Sequence, residues 1–337
     1  MGKKEIIQNV LKNRRVVSKP DYRDFGAILL FILLVPYIVS FFFGNAGAKG
    51  GEGEEKDSVE AQSEMFPDDM KKTEYIVYNK TAAGTEKIPL ETYLVSWLPS
   101  TIDMGYEMEA LKAQAIVLRT ELMKMAQGEG KGIYVEGAAV KTGAQDYERS
   151  KEAVGGTRGM FLKYEGEIIT APYFAVSAGA TRNGNEALGS EGYAYLKSVM
   201  CQRDFTAEDY AGGIRMGKHT FWKRLGEYME GMEFEEGKKA QDQLIFSRDR
   251  AGYVTEVSLN GKSLSGEVFR EIFSLNSSCF EVEERGETIV IKTKGVGHGL
   301  GFCQYAANEA AKRGSDYIDL LNYFFSDAVI EKNGESG

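Results

Sequence analysis

Residues 25–43, FGAILLFILLVPYIVSFFF, run for 19 positions without a charge. As a helix this segment is about 28 Å long, enough to cross a hydrocarbon core roughly 30 Å thick. It is apolar on every side, so it does not fit the one-sided helix of a water-soluble domain. It also exceeds the apolar core of a cleaved secretory signal, roughly 7–15 residues, and a retained anchor is expected. The small residues of NAGA at 45–48 keep a cleaved form open. Lys3, Lys4, Lys12, Arg14, Arg15, Lys19 and Arg23 precede the span, and Glu52, Glu54, Glu55, Asp57, Glu60 and Glu64 follow it. That asymmetry predicts a single-pass protein of the cell membrane, with a cytoplasmic N-terminus and its main domain outside.

The chain then divides into a basic tail (1–24), the anchor (25–43), a Gly/Glu/Lys-rich flexible linker (44–72), a working domain (73–332) and a short tail (333–337). The net charge is −9, although the first 43 residues carry seven Lys/Arg against three Asp/Glu. An acidic body without basic runs excludes nucleic acid as the main partner. Cys201, Cys279 and Cys303 are far apart and form no CxxC pair, so a disulfide framework is not expected. With only His219 and His298 beside them, no zinc-type ligand spacing appears, and neither a metal nor a cofactor is expected.

Runs rich in β-branched and aromatic residues at 74–79, 160–166, 167–176, 243–248, 253–261 and 287–295 predict strands, with KYEGEII as a hairpin. Met108, Leu111, Ala115, Leu118, Leu122 and Met125 recur at spacings of three and four and predict a helix over 107–126. Phe221, Trp222, Leu225 and Met229 predict another, and 304–312 and 317–325 two more. Without regular strand–helix alternation, the fold class is α+β, a single mixed domain.

At 294–314, KGVGHGLGFCQYAANEAAKRG, Gly295, Gly297, Gly299 and Gly301 alternate with other residues around His298 before a helix. Glycines admit a ligand close to the backbone, and a helix start offers free amides. The spacing is not that of a dinucleotide fingerprint. By residue type alone His298 reads either as a packed core histidine or as a ligand-facing one.

This segment resembles the terminal signature of the SpoIID/LytB family, GxGHGxGMSQYGAxxMA. Residues 90–120, LETYLVSWLPSTIDMGYEMEALKAQAIVLRT, are similar to that family's LEEYLxGVVxxEMPxxxxxEALKAQAxAxRT. Residues 171–199 resemble its AxYHSTSGGxT…YLxSV, and 250–275 fit the stretch before the last motif. The resemblance covers about 75–325 in one order. It implies action on peptidoglycan: lytic transglycosylases of engulfment that cut glycan strands lacking stem peptides, beside a cell-wall amidase or an engulfment complex, and an amidase enhancer on the LytB side.

The family's catalytic glutamate, the first residue of its EMP step, aligns with Thr101, and Asp103 stands where its proline would be. A glutamate of raised pKa can protonate the leaving glycosidic oxygen and then take a proton from the sugar's 6-hydroxyl; a threonine hydroxyl is far too weak an acid. Asp103 is the candidate substitute acid. YHSTSGG becomes YFAVSAG at 173–179, so Phe174 replaces a histidine near which, with nearby cysteines, some relatives bind zinc. Cys201 is thereby left without a visible partner and no metal carries over. The resemblance assigns Glu91, Gln114, Arg119, Ser177, Gly297, His298, Gly299 and Gln304 to a glycan-binding cleft. Glu91 reads equally as a helix-start residue, and Gln114 and Arg119 as ties between helix and body.

The expectation is a membrane-anchored protein of sporulation or cell-wall remodelling that binds glycan strands or a partner amidase with weak or no cleavage. Two alternatives stay open: an active lytic transglycosylase using Asp103, and a pure protein-interaction module.

Overall fold

A computed structural model describes residues 75–81, 84–128, 132–136, 143–229 and 231–333. The basic tail, the 25–43 span, the 44–72 linker and residues 334–337 lie outside the described residues. Among the described residues no helix is long and apolar enough to cross a membrane.

The fold is mixed α+β, organised around the helix Met108–Gly128. Leu111, Ala115, Leu118 and Leu122, the periodic stripe of the sequence, enter one core with Leu90, Leu94 and Val154. Ala110, Ala113, Ile116 and Val117 enter a second core with Phe302, Ala307, Leu321 and Phe325. A helix buried on two faces cannot drift, so its polar residues become fixed reference points for whatever packs at its ends.

Three-stranded sheets flank it. Ile76–Thr81 pairs antiparallel with Gly84–Pro89 and parallel with Gly132–Glu136. Met160–Tyr164 pairs with Glu167–Ile168 and, near the end of the chain, with Val329–Lys332. The predicted hairpin forms: Glu165 and Gly166 take φ of 51° and 84°, the pair of positive values that a tight two-residue turn needs.

The strand expected over 167–176 is broken. It survives as Glu167–Ile168 and Tyr173–Phe174, because Pro172 between them has no N–H for a ladder. The amide of Ala171 donates instead to the Glu121 carboxylate on the central helix. Burial pushes the Glu121 carboxyl up to about 7, against the Ala171 hydrogen bond and Lys124, which pull it down. The folded state therefore holds this proton where the unfolded chain releases it, and stability falls as pH rises from about 4.5 to about 7. Glu121→Gln keeps an acceptor for Ala171 and carries no charge. It is expected to raise stability at pH 8 by about 1–3 kcal/mol and to change it little at pH 4. Urea unfolding at both pH values checks this; an equal effect at the two would contradict it.

Residues 211–294 build a third core. Ala211–Gly217, Thr288–Lys294 and Phe280–Arg285 form one antiparallel sheet, and Ile245–Arg248, Val254–Leu259 and Lys262–Ser265 another. Between them Phe221 stacks on Phe273 at 4.9 Å and Phe269 on Phe280 at 4.6 Å. The glycine loop follows Thr288–Lys294 and leads the chain back to the first part of the fold. There Phe302–Cys303 pairs parallel with Tyr173–Phe174, and Gln304–Ala311 runs as a helix.

Candidate functional site

Thr101 lies at the end of a short 3-10 turn, Leu98–Ser100. Its amide and its hydroxyl both donate to the Leu98 carbonyl, at 3.0 and 2.9 Å. Ile102 and Met104 turn into the core, while Thr101 is half-buried and Asp103 is exposed. Polar residues from two helices, Gln304–Ala311 and Ala144–Gly156, hold this turn. Gln304 Nε2 donates to the Thr101 carbonyl at 2.6 Å and to Gln114 Oε1 at 3.3 Å. Arg149 donates to the carbonyls of Met104 and Tyr106, at 2.8 and 2.5 Å, and Asn308 Oδ1 accepts from the Glu107 amide at 2.9 Å. The Asp103 carboxylate accepts from the Gly105 amide at 2.8 Å. Tyr106 faces the same region, its hydroxyl pushed up to about 12 by burial and by Asp103.

Glu91 and Arg119 turn toward each other. The guanidinium meets the carboxylate with two hydrogen bonds, of 2.8 and 2.7 Å, and donates further to the carbonyls of Met160 and Val154. Both are buried, so the pair latches the helix Leu90–Trp97 and the turn near Met160 to the central helix. They border a surface hollow of about 420 Å³ that is also lined by Arg158, Met160 and Lys332 and includes neither Thr101 nor the glycine loop.

The glycine loop is a seam. Val296 bridges to Val176 and Gly297 to Ser277, which joins the middle segment to the third core. The room expected for a ligand at these glycines is taken by the protein itself. Gly297 sits at φ 112° with Phe174 where a Cβ would come within 2.6 Å, and Gly299 at φ 80° with Tyr253 at 2.5 Å. One amide of the helix start is also occupied, since Tyr305 N donates to the Ala175 carbonyl. His298 is buried, its Nδ1 accepting from the Leu300 amide at 3.1 Å and its ring hydrogen-bonding the Tyr173 backbone. Burial, with the charges of Arg270 and Arg182 adding to it, pushes the imidazole down to about 4 against the pull of Glu267, so it is neutral at pH 7. Ser177 is also buried, its hydroxyl accepting from the Gly179 amide.

The structure thus brings Thr101, Gln114 and Gln304 together, places Asp103 beside them, and sets Glu91–Arg119 and Ser177–His298 at separate joints. Phe174 is buried with its ring 5.7 Å from that of His298, so at this position there is no donor for a metal.

Two clusters escape the sequence reading. Arg182 is buried against Asp249 (2.5 Å) and Glu267 (3.2 Å), with its guanidinium 5.2 Å from the centre of the Tyr253 ring. It also donates to the His298 carbonyl, which ties the seam to the third core. Cys201, left without a partner in the sequence, lies beside Asp204 and Cys303. Charged residues 67 and 85 positions from Arg182, and a cysteine in the middle of a distant motif, leave no local signal to find them by.

A family model described as SpoIID, stage II sporulation protein, matches residues 78–164, the part that carries Thr101 and the central helix. Stage II sporulation protein D of Bacillus subtilis (strain 168) is 30% identical over 331 residues, covering 91% of this chain and 94% of that protein. Its counterpart in Bacillus amyloliquefaciens is 32% identical over 278 residues, covering 76% and 78%. The amidase enhancer of Bacillus subtilis is more distant, 22% identical over 286 residues and 39% of that protein's length.

Proposed function

The chain belongs to the stage II sporulation protein D family, and on that premise we propose that it serves the cell wall in sporulation as a membrane-anchored protein that grips peptidoglycan glycan strands with little or no cleavage. The observation that carries this reading is the chemistry at Thr101. The position aligned with the family's acid holds a hydroxyl that already donates to the Leu98 carbonyl. It cannot deliver a proton to a glycosidic oxygen at neutral pH. The turn is nevertheless held in place by Gln304, Arg149 and Asn308, as a surface retained for binding requires.

Glu91, Gln114, Arg119, Ser177, His298 and Gln304 act in this account through position. Gln304, braced by Gln114, fixes the Thr101 turn, whose outer face the strand contacts, while Glu91, Arg119, Ser177 and His298 hold the separate joints on which that part of the fold rests. Asp103 favours the cutting alternative by its place on the same turn. It is exposed, though, and its carboxylate is already engaged by the Gly105 amide of its own turn. The likeness to an amidase enhancer supports a second partner, a cell-wall amidase working on the same strands. Anchoring rests on residues 25–43.

The full chain in detergent micelles is expected to be retained on insoluble peptidoglycan stripped of stem peptides, and to be released by soluble glycan strands. Failure to be retained would contradict the glycan reading and leave the amidase as the primary partner.

A further inference from the structure

Cys201, Asp204 and Cys303 converge from two segments about 100 residues apart, and their donor atoms all lie within 4.8 Å of one another. All three residues are buried, at 3%, 0% and 0% exposure. The Cys303 thiol donates to Asp204 Oδ2 at 3.0 Å, and the Ser177 amide donates to the same oxygen at 2.6 Å. The other carboxylate oxygen, Oδ1, is buried with no hydrogen-bond partner. A buried carboxylate oxygen left unmet is costly, and natural folds retain one where something else completes it.

Two sulfurs and a carboxylate form the donor set of a thiophilic divalent ion, not of magnesium or calcium. Around tetrahedral zinc, bond lengths of about 2.0–2.3 Å put neighbouring donors about 3.4–3.8 Å apart, inside the spread observed here. We propose that Cys201, Asp204 and Cys303 bind one zinc ion. The set uses no residue at the Phe174 position and takes one ligand from the last motif. On binding, both thiols lose their protons to solvent while the carboxylate binds ionised. Two protons leave for each ion bound, and a water fills the fourth position.

The ion would act as a staple. It ties the 201–204 turn to Cys303, whose neighbour Gln304 holds the Thr101 carbonyl. The inference does not depend on whether the protein binds glycan.

The test uses the full chain in detergent, equilibrated with micromolar zinc chloride, desalted, and measured for metal by plasma mass spectrometry. Wild type is expected to retain one zinc per chain. Cys201→Ser and Cys303→Ser should each lower retention at least tenfold, while Cys279→Ser, outside the cluster, keeps it. Cobalt(II) in place of zinc should give wild type a thiolate charge-transfer band that both variants lack. Circular dichroism identifies variants that fail to fold, and for those Asp204→Asn, whose carboxamide keeps an acceptor for Ser177 and Cys303, replaces them with the same expected loss of zinc. Wild type without zinc, equal zinc in the cluster variants, or a Cys201–Cys303 disulfide in the peptide map would overturn the proposal.

Discussion

Thr101→Glu is expected to turn a strand-gripping protein into a strand-cutting one. The rate of release of 1,6-anhydro sugar ends should rise about 10²–10⁴-fold, the usual worth of general acid–base catalysis. The backbone at Thr101, φ −112° and ψ −22°, is one that glutamate adopts without strain. The substitution gives up the hydroxyl bond to Leu98, at a cost of about 1 kcal/mol. The new carboxyl would be half-buried and close to Asp103. Both features disfavour its ionised form and move its pKa toward the range of a working acid. Asp103 itself is unchanged in this variant, so a gain of activity would also show that Asp103 does not suffice. No gain, in a variant that still binds strands, would mean that the turn no longer presents a bond to be cut.

The second large effect concerns stability. Arg119→Met leaves the Glu91 carboxylate buried and unpaired and should cost about 3–5 kcal/mol, lowering the melting temperature by roughly 6–20 °C. Replacing both residues, Glu91→Leu with Arg119→Met, should recover much of this, because the unpaired charge is the larger part of the penalty. Recovery stays incomplete, since the carbonyls of Met160 and Val154 also lose a donor. A single replacement as stable as wild type would show that the latch contributes nothing. Glycan binding by the folded double variant separates a structural latch from a binding residue: the account predicts binding close to wild type.

Periodicity exposes the stripe of the central helix through Leu111, Leu118 and Leu122, but not its second buried face. Ala110, Ala113, Ile116 and Val117 are mostly small, and their burial depends on elements nearly 200 positions away. The hairpin at Glu165–Gly166 is readable because its turn chemistry is local. The break at Pro172 could have been read from the missing amide, whereas the parallel pairing of Tyr173–Phe174 with Phe302–Cys303 could not. The site divides in the same way. Counting along the motif locates the Thr101 turn. The motif's polar residues, however, look alike as ligand contacts or as internal braces until their partners are known. Glu91 finds Arg119, Gln304 finds the Thr101 carbonyl, and His298 finds Leu300, because a buried polar group needs a partner and the nearest ones belong to the protein. Cys201 shows the converse. It has no visible neighbour in the sequence, and in the fold it has two.

The central claim is that this protein holds glycan strands without cutting them. Its most direct test incubates the wild-type full chain with peptidoglycan stripped of stem peptides. Bound protein is measured in the pellet, and soluble sugars are analysed by mass spectrometry. The account predicts protein in the pellet and 1,6-anhydro ends no higher than in the protein-free control. Release of such ends by wild type, abolished by Asp103→Asn, would contradict it and make the protein an enzyme with a relocated acid.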